Sequence, residues 1–295
     1  MYWETFHATL GDMELDYSLH RLALNPLLIV LASLFALSPG CTSMPDNPWA
    51  KVQSPSAGAA QSIGKPSAGC LAGAVALPFD GPGYRIMRLS RRRFYGHPRL
   101  IHFLTVLGEE MEKQKLPPLS IGDMGLARGG PMPTGHLSHQ IGLDVDVWLL
   151  QPTINDREKS FPRSVLHDKT SLDPSLWTDT QEKMLIAAVT QENVDRIFIN
   201  PLIKKELCKK FPHEPWMGKL RPWWGHDDHF HARLKCAPED KLCVNTEAIP
   251  PGDGCDSQLD WWFGPEAKEK AAENDSKYKV RTLPKLPDEC RAVLQ

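Results

Sequence analysis

Two short histidine-rich segments, about ninety residues apart, constrain this chain more than any other feature in it. The first runs His136-Leu137-Ser138-His139-Gln140-Ile141-Gly142-Leu143-Asp144-Val145-Asp146. The second runs Trp223-Trp224-Gly225-His226-Asp227-Asp228-His229-Phe230-His231. Together they hold five of the chain's eleven histidines. Imidazole and carboxylate are the donors a divalent metal such as zinc takes. An H-x-H pair alone says little. An H-x6-D pair, His139 and Asp146, followed by the distant His229-x-His231, can supply three ligands and leave a position for water. That is the make-up of a catalytic zinc site rather than a structural one. A fold that uses it must bring both segments to one point.

The local patterns say how. From Gly142 to Leu150 the chain alternates as a strand does, with Leu143, Val145 and Val147 on one face and Asp144, Asp146 and Trp148 on the other. His229 to Leu234 repeats the pattern, with His229, His231 and Arg233 opposite Phe230, Ala232 and Leu234. Two strands that each pair an apolar face with a polar, ligand-bearing face are expected as neighbours in a largely antiparallel sheet, their polar faces lining a cleft. With His139, Asp146 and His231 as ligands, a bound zinc keeps net positive charge, polarises an amide carbonyl and acidifies water. Amide hydrolysis also needs a group to accept and return a proton. His229 is the first candidate and His226 the second.

Elsewhere, helical spacing is expected over Ile101 to Lys113, with Phe103, Leu104, Leu107 and Met111 on one face, and again over Gln181 to Val194. Arg196 to Asn200 reads as a strand and Pro201 to Phe211 as a short helix. Gly122 to Gly135, with five glycines and two prolines, reads as a loop. The division expected is a signal segment over 1–41, a flexible linker rich in Ser, Pro, Ala and Gly over 42–66, a peptidase domain over 67–265, and a charged, Pro-punctuated tail over 266–295.

The signal reading rests on Leu27 to Leu37, an uncharged apolar run too short to span a bilayer and suited to the core of an export signal. The acidic residues before Arg21 depart from that pattern, and Met13 offers an alternative start. Cys41, after Leu37-Ser38-Pro39-Gly40, leaves two readings open: a lipoprotein box that anchors the chain through a lipid, or ordinary signal cleavage nearby. Without Cys41 six cysteines remain, an even number that suits disulfides in an oxidising compartment; no C-x2-C pair suggests cysteine-bound metal. The formal net charge of −2 gives no global basic field, so a nucleic-acid partner is not expected. Arg91-Arg92-Arg93, with Phe94 and Tyr95, accordingly reads as a solvated or structural turn. Asp123, between glycines, reads first as a turn former, with contact to substrate or to a metal ligand as the lesser alternative. Asp227 and Asp228 are open between orienting a histidine and forming a plain turn. Trp148, Trp223 and Trp224 are open between cleft and core.

Several segments resemble the penicillin-insensitive murein endopeptidase family, periplasmic zinc peptidases of bacteria. They include Gln61-Ser62-Ile63-Gly64, Tyr95-Gly96-His97-Pro98, Ile121-Gly122-Asp123-Met124-Gly125, Ser138-His139-Gln140, Gly142-Leu143-Asp144-Val145-Asp146, Arg221-Pro222-Trp223 and Gly252-Asp253-Gly254-Cys255. The resemblance runs from about Gln61 to the last cysteines. It implies an α+β fold of the hedgehog and D-Ala-D-Ala-peptidase kind, with a small antiparallel sheet flanked by helices and long loops. It also implies a periplasmic enzyme that cuts the D-alanyl–meso-diaminopimelate cross-link of peptidoglycan. Carried over residue by residue, it implies zinc ligation by His139, Asp146 and His231, a catalytic role for His229 with His226 nearby, a further metal-associated position at His136, and the disulfides Cys70–Cys290, Cys208–Cys255 and Cys236–Cys243. The family can show a second metal position built from an Asp and a His three residues on. Here Asp168 fits the Asp, but Ser171 stands where the His is expected, and His167 is the neighbouring substitute. A D,D-carboxypeptidase, or a catalytically silent cell-wall-binding protein on the same fold, are the alternatives.

Overall fold

A computed structural model describes residues 46–279 and 282–295. The apolar run Leu27 to Leu37 and Cys41 lie outside the described residues. In chain order the elements are α1 (Pro48–Lys51), β1 (Gln61–Lys65), β2 (Ala68–Ala72), β3 (Val75–Ala76), β4 (Asp80–Gly81), β5 (Tyr84–Ile86), β6 (Tyr95–Gly96), α2 (Pro98–Lys113), β7 (Leu119–Ile121) and β8 (Asp144–Trp148). There follow β9 (Leu166–His167), β10 (Ser171–Leu172), α3 (Asp179–Val189), β11 (Val194–Ile199), α4 (Pro201–Lys210), β12 (Leu220–Pro222), β13 (His229–Leu234), α5 (Ser257–Asp260), α6 (Pro265–Lys279) and α7 (Cys290–Leu294).

Seven strands form the main sheet in the order β12-β11-β13-β8-β7-β5-β4. Four of its six pairings are antiparallel, and the two parallel ones, β11 with β12 and β5 with β7, lie outside the central pair. The fold is α+β, as expected, although the sheet is larger and more mixed than a purely antiparallel one. The expected neighbours β8 and β13 are its centre. Their register sets His231 against Asp146, Arg233 against Asp144 and His229 against Trp148. The apolar halves of both strands, Val145, Val147, Phe230 and Ala232, join the core with Leu100, Leu104 and Leu107 of α2 and Leu185 of α3.

Helix starts follow local chemistry. α2 begins three residues before the expected Ile101, because Pro98 takes the first helical position and the His97 side chain accepts from Arg99 N–H. A Thr178–Gln181 capping box opens α3, which stops at Val189, and Val194 instead starts β11. Asn200 caps α4, ahead of Pro201.

Two boundaries change. The stretch read as a flexible linker carries α1 and β1, and buried Trp49 packs against Gly130. Gly130 has φ +77, and a Cβ there would come within 2.2 Å of the Trp49 ring. The tail contains α6 and α7. Trp49, Ile63, Cys70, Leu126, Met132, Cys290 and Val293 form a second, smaller core that holds the two chain ends of the domain together. The disulfides are Cys70–Cys290, Cys208–Cys255 and Cys236–Cys243, as the resemblance implied.

Cys70 and Cys290 are separated by 220 residues, so their bond removes much freedom from the unfolded chain. Replacing both by serine should cost roughly 2–5 kcal/mol and expose residues 282–295 to protease. Thermal melts and limited proteolysis of the double variant check this; unchanged melting and cleavage would count against the strap.

Candidate metal centre

Asp146 is buried on the polar face of β8, and three imidazoles turn towards one of its oxygens. From Asp146 Oδ1, His139 Nε2 lies 3.4 Å away, His231 Nδ1 3.5 Å and His229 Nε2 3.7 Å. His136 approaches the other oxygen, with Nε2 3.3 Å from Asp146 Oδ2. Ligand atoms of His136, His139 and Asp146 all lie within 4.8 Å of one another. The structure therefore gathers five of the residues singled out in the sequence, and His226 stacks beside His229 at a ring-centre distance of 4.9 Å.

Each ring is aimed by a hydrogen bond at its far nitrogen. His139 Nδ1 meets the Met124 carbonyl at 2.8 Å; a carbonyl only accepts, so Nδ1 carries the proton and Nε2 offers its lone pair to the cluster. His231 Nε2 donates to Asp144 Oδ1 at 2.8 Å, which turns Nδ1 inward. His229 Nδ1 donates to Asp228 Oδ1, which answers the question left open for that aspartate. His226 Nδ1 donates to the Trp224 carbonyl at 3.1 Å. The backbone contributes too. His139 has φ 67, a left-handed conformation costly for a residue with a Cβ, and its N–H is held by Asp144 Oδ2 at 3.2 Å. Gly142, at φ +72, lies between His139 and β8 where a Cβ would strike Leu71 Cδ2 at 2.3 Å; only glycine fits the bend that joins the two ligands.

The electrostatics favour a cation at this point. Burial opposes charging Asp146, but His136, His139 and His229 overcome it and hold the carboxyl well below its usual range. Burial likewise opposes a proton on His139, yet Asp146 raises its pKa. His231, pushed down to about 4 by burial and by His139, stays neutral. Two buried atoms, His139 Nε2 and Asp146 Oδ1, make no hydrogen bond among the described residues. Left that way they are costly. A tetrahedral ion with ligands at about 2.0–2.1 Å would space those ligands about 3.4 Å apart, so the donor set fits a metal.

Asp144 and Asp123 are the residues that local reading underrated. Asp144 takes Arg233 Nε at 2.6 Å besides His231 and the His139 amide. Asp123 is buried, and its Oδ2 takes Arg93 at 2.7 Å, Arg91 at 2.8 Å and His136 at 2.8 Å. For Asp123 the structure favours contact with a site histidine over a plain turn, and the arginine run is a structural turn rather than a solvated one: Arg91 and Arg93 answer a buried carboxylate at the edge of the site. Trp148 is buried and lines the cavity above the cluster, whereas Trp223 is exposed and meets Phe198 edge-on. Asp168 does not join. It sits at φ 47 between β9 and β10 with its side chain 82% exposed and only His167 beside it, at 3.4 Å. Ser171 lies on the paired strand of that hairpin.

The cavity has a volume of about 120 Å³, and Asp146, His229, His136 and Asp123 are among its walls. A larger one of about 380 Å³, between α2 and α3, has Val106, Glu110, Lys183 and Ile186 in its walls and no residue of the cluster, so it offers none of this chemistry.

Two outcomes follow for metal binding. Asp144→Asn should weaken metal affinity about 10–100-fold through loss of ring orientation, as read by competition with a chromophoric chelator while circular dichroism confirms folding. Because metal must displace the proton that Asp146 favours on His139, binding should release protons and weaken as pH falls. Calorimetry in buffers of different ionisation enthalpy reads that release; a buffer-independent heat would contradict it.

The penicillin-insensitive murein endopeptidase family model matches residues 62–295. The chain is 38% identical over 271 residues to a penicillin-insensitive murein endopeptidase of Yersinia enterocolitica, covering 90% of this chain and 95% of that protein. It is 37% identical over 268 residues to one of Klebsiella pneumoniae, covering 89% and 96%, and 37% identical over 273 residues to one of Salmonella paratyphi C, covering 90% and 97%. With the match running through both histidine segments and on to the last cysteine, the chain belongs to the penicillin-insensitive murein endopeptidase family.

Proposed function

We propose that this protein is a zinc-dependent murein endopeptidase that hydrolyses the D-alanyl–meso-diaminopimelate cross-link of peptidoglycan in the periplasm. The observation that carries the proposal is the convergence of His139 Nε2 and His231 Nδ1 on Asp146 Oδ1 at 3.4 and 3.5 Å. These three residues would hold the zinc, with His136 and Asp123 at the border of the site. Two imidazoles and a carboxylate are a zinc donor set. Bound zinc would polarise the scissile carbonyl and lower the pKa of water at the site.

The chain's own groups account for the proton movements. His229 presents Nε2 to the cluster while Asp228 holds the proton on Nδ1. From there it can take the proton of the attacking water and return one to the leaving amine. Burial lowers the His229 pKa, but Asp146 and the Asp228 bond push it up to about 9, so the ring is free to accept a proton only once a cation at Asp146 takes over that carboxylate's pull. His226 is the second proton-handling candidate; burial, with His229 and His231, keeps it well below its ordinary value and therefore neutral. No serine nucleophile is needed, so acylation by a β-lactam has no target.

Among the described residues no helix is long and apolar enough to cross a membrane. The disulfides suit an oxidising compartment, and export would rest on the apolar run before Cys41.

Purified protein with zinc should split a defined muropeptide dimer, and a chelator should stop it. His229→Ala should lower kcat by about 10²–10⁴-fold and still take up metal. Product masses separate an endopeptidase from a D,D-carboxypeptidase. Folded, metal-loaded protein that binds sacculi yet cuts nothing would sink the proposal and favour a cell-wall-binding role.

A further inference from the structure

The cavity beside the cluster has a cationic wall that the reading above does not use. Arg88 and Arg91 both line it, together with His229 and Asp146. They come from one tight turn. Arg88 at φ 55 and Arg92 at φ 53 flank a single 3-10 turn, Leu89–Arg91, closed by Arg91 N–H to Arg88 O at 3.0 Å. Two left-handed non-glycine residues in five are strained backbone, and such strain tends to be kept where it positions function.

The two arginines are not equivalent. Arg91 forms an ion pair with Asp123 at 2.8 Å, so part of its charge is answered. Arg88 has its backbone N–H on the Arg157 carbonyl at 3.0 Å and its guanidinium stacked over the Phe161 ring at 4.5 Å. Among the described residues no carboxylate and no hydrogen-bond acceptor pairs with that guanidinium. Stacking on an aromatic face fixes its plane and leaves its edge donors pointing away from the ring. Burial first, and then the neighbouring cations Arg93 and Arg88, push the Arg91 pKa down against the pull of Asp123. An anion at this wall would relieve that repulsion.

We infer that Arg88, assisted by Arg91, forms a carboxylate-binding subsite that recognises the diaminopimelate carboxylate on the carbon bearing the scissile nitrogen. The inference rests on the endopeptidase reading. In the cross-link that carboxylate and the scissile amide share one carbon, so a substrate placed at the cluster must bring the negative charge into the same cavity. There Asp123 is already answered by Arg91 and Arg93, and Asp228 by His229. Arg88, whose guanidinium has no such partner, can take the incoming carboxylate through a bidentate, charge-assisted contact that carboxylate geometry matches.

The test uses two synthetic dimers, one with this carboxylate free and one with it as the carboxamide, on wild type, Arg88→Gln and Arg88→Lys. The matching uncleaved product peptides, acid and amide, serve for equilibrium binding by calorimetry. Wild type should prefer acid over amide by at least about tenfold in kcat/KM and in Kd, the strength of one charge-assisted contact. Arg88→Gln should bring that ratio close to one, and Arg88→Lys should restore part of it. A ratio near one in wild type, or a ratio that Arg88→Gln leaves unchanged while both substrates lose equally, overturns the subsite. If wild type cleaves neither dimer, the endopeptidase reading fails, and the acid-to-amide ratio in the binding arm still decides the subsite.

Discussion

The whole centre depends on burying two carboxylates two residues apart on one strand. Asp144 is fully buried and Asp146 nearly so, both on the polar face of β8. A buried charge is expensive unless paired. The register with β13 supplies the partners, with Arg233 opposite Asp144 and His231 opposite Asp146. A slip of one residue would turn both aspartates into the apolar core and both histidines away from the site. Folding and site assembly are therefore a single event. The sheet cannot close in another register without leaving charges unpaired, and in this register the ligands are already in place.

The two aspartates then divide the work. Protein donors saturate Asp144: Arg233 and His231 on Oδ1, the His139 amide on Oδ2. It orients one ligand ring and one ligand backbone at once. Asp146 is left with an oxygen that makes no hydrogen bond. The first carboxylate sets the frame for the second, which explains why they occur as Asp-Val-Asp on a strand, where alternate residues share a face.

Alternation made the strands and their faces legible in the sequence, and the H-x6-D and H-x-H spacings marked the ligands. What stayed hidden was long-range. Nothing local reveals that Asp123 is buried, so its partners Arg91 and Arg93 looked like part of a charge run in a nearly neutral chain. Composition misled for residues 42–66, where Pro, Ser and Ala suggested a linker; Trp49 was the available contrary signal. Asp168 entered only through family resemblance. Its motif partner is Ser171, and the structure leaves it exposed on a hairpin. The His139 backbone, at φ 67, could not be read from composition because a histidine takes that conformation only under tertiary restraint.

The distribution of permanent charge explains why one point in the site suits a cation. Asp123 is answered by Arg91 and Arg93, and Asp144 by Arg233. Guanidinium does not lose its proton in a protein, so the Asp144–Arg233 pair is neutral and the Asp123 group, with two guanidiniums, is net positive at any working pH. Asp146 is surrounded by imidazoles alone, which can be neutral or charged. Of the three buried carboxylates of the site, Asp123, Asp144 and Asp146, it is the one whose field no fixed charge cancels. A proton on a histidine can answer it, and so can a divalent ion, but the ion also satisfies the lone pairs of His139 and His231. The arginines thus mark indirectly where a metal would sit. By answering Asp123 and Asp144, they leave Asp146 as the buried negative charge at the point where the imidazole lone pairs converge.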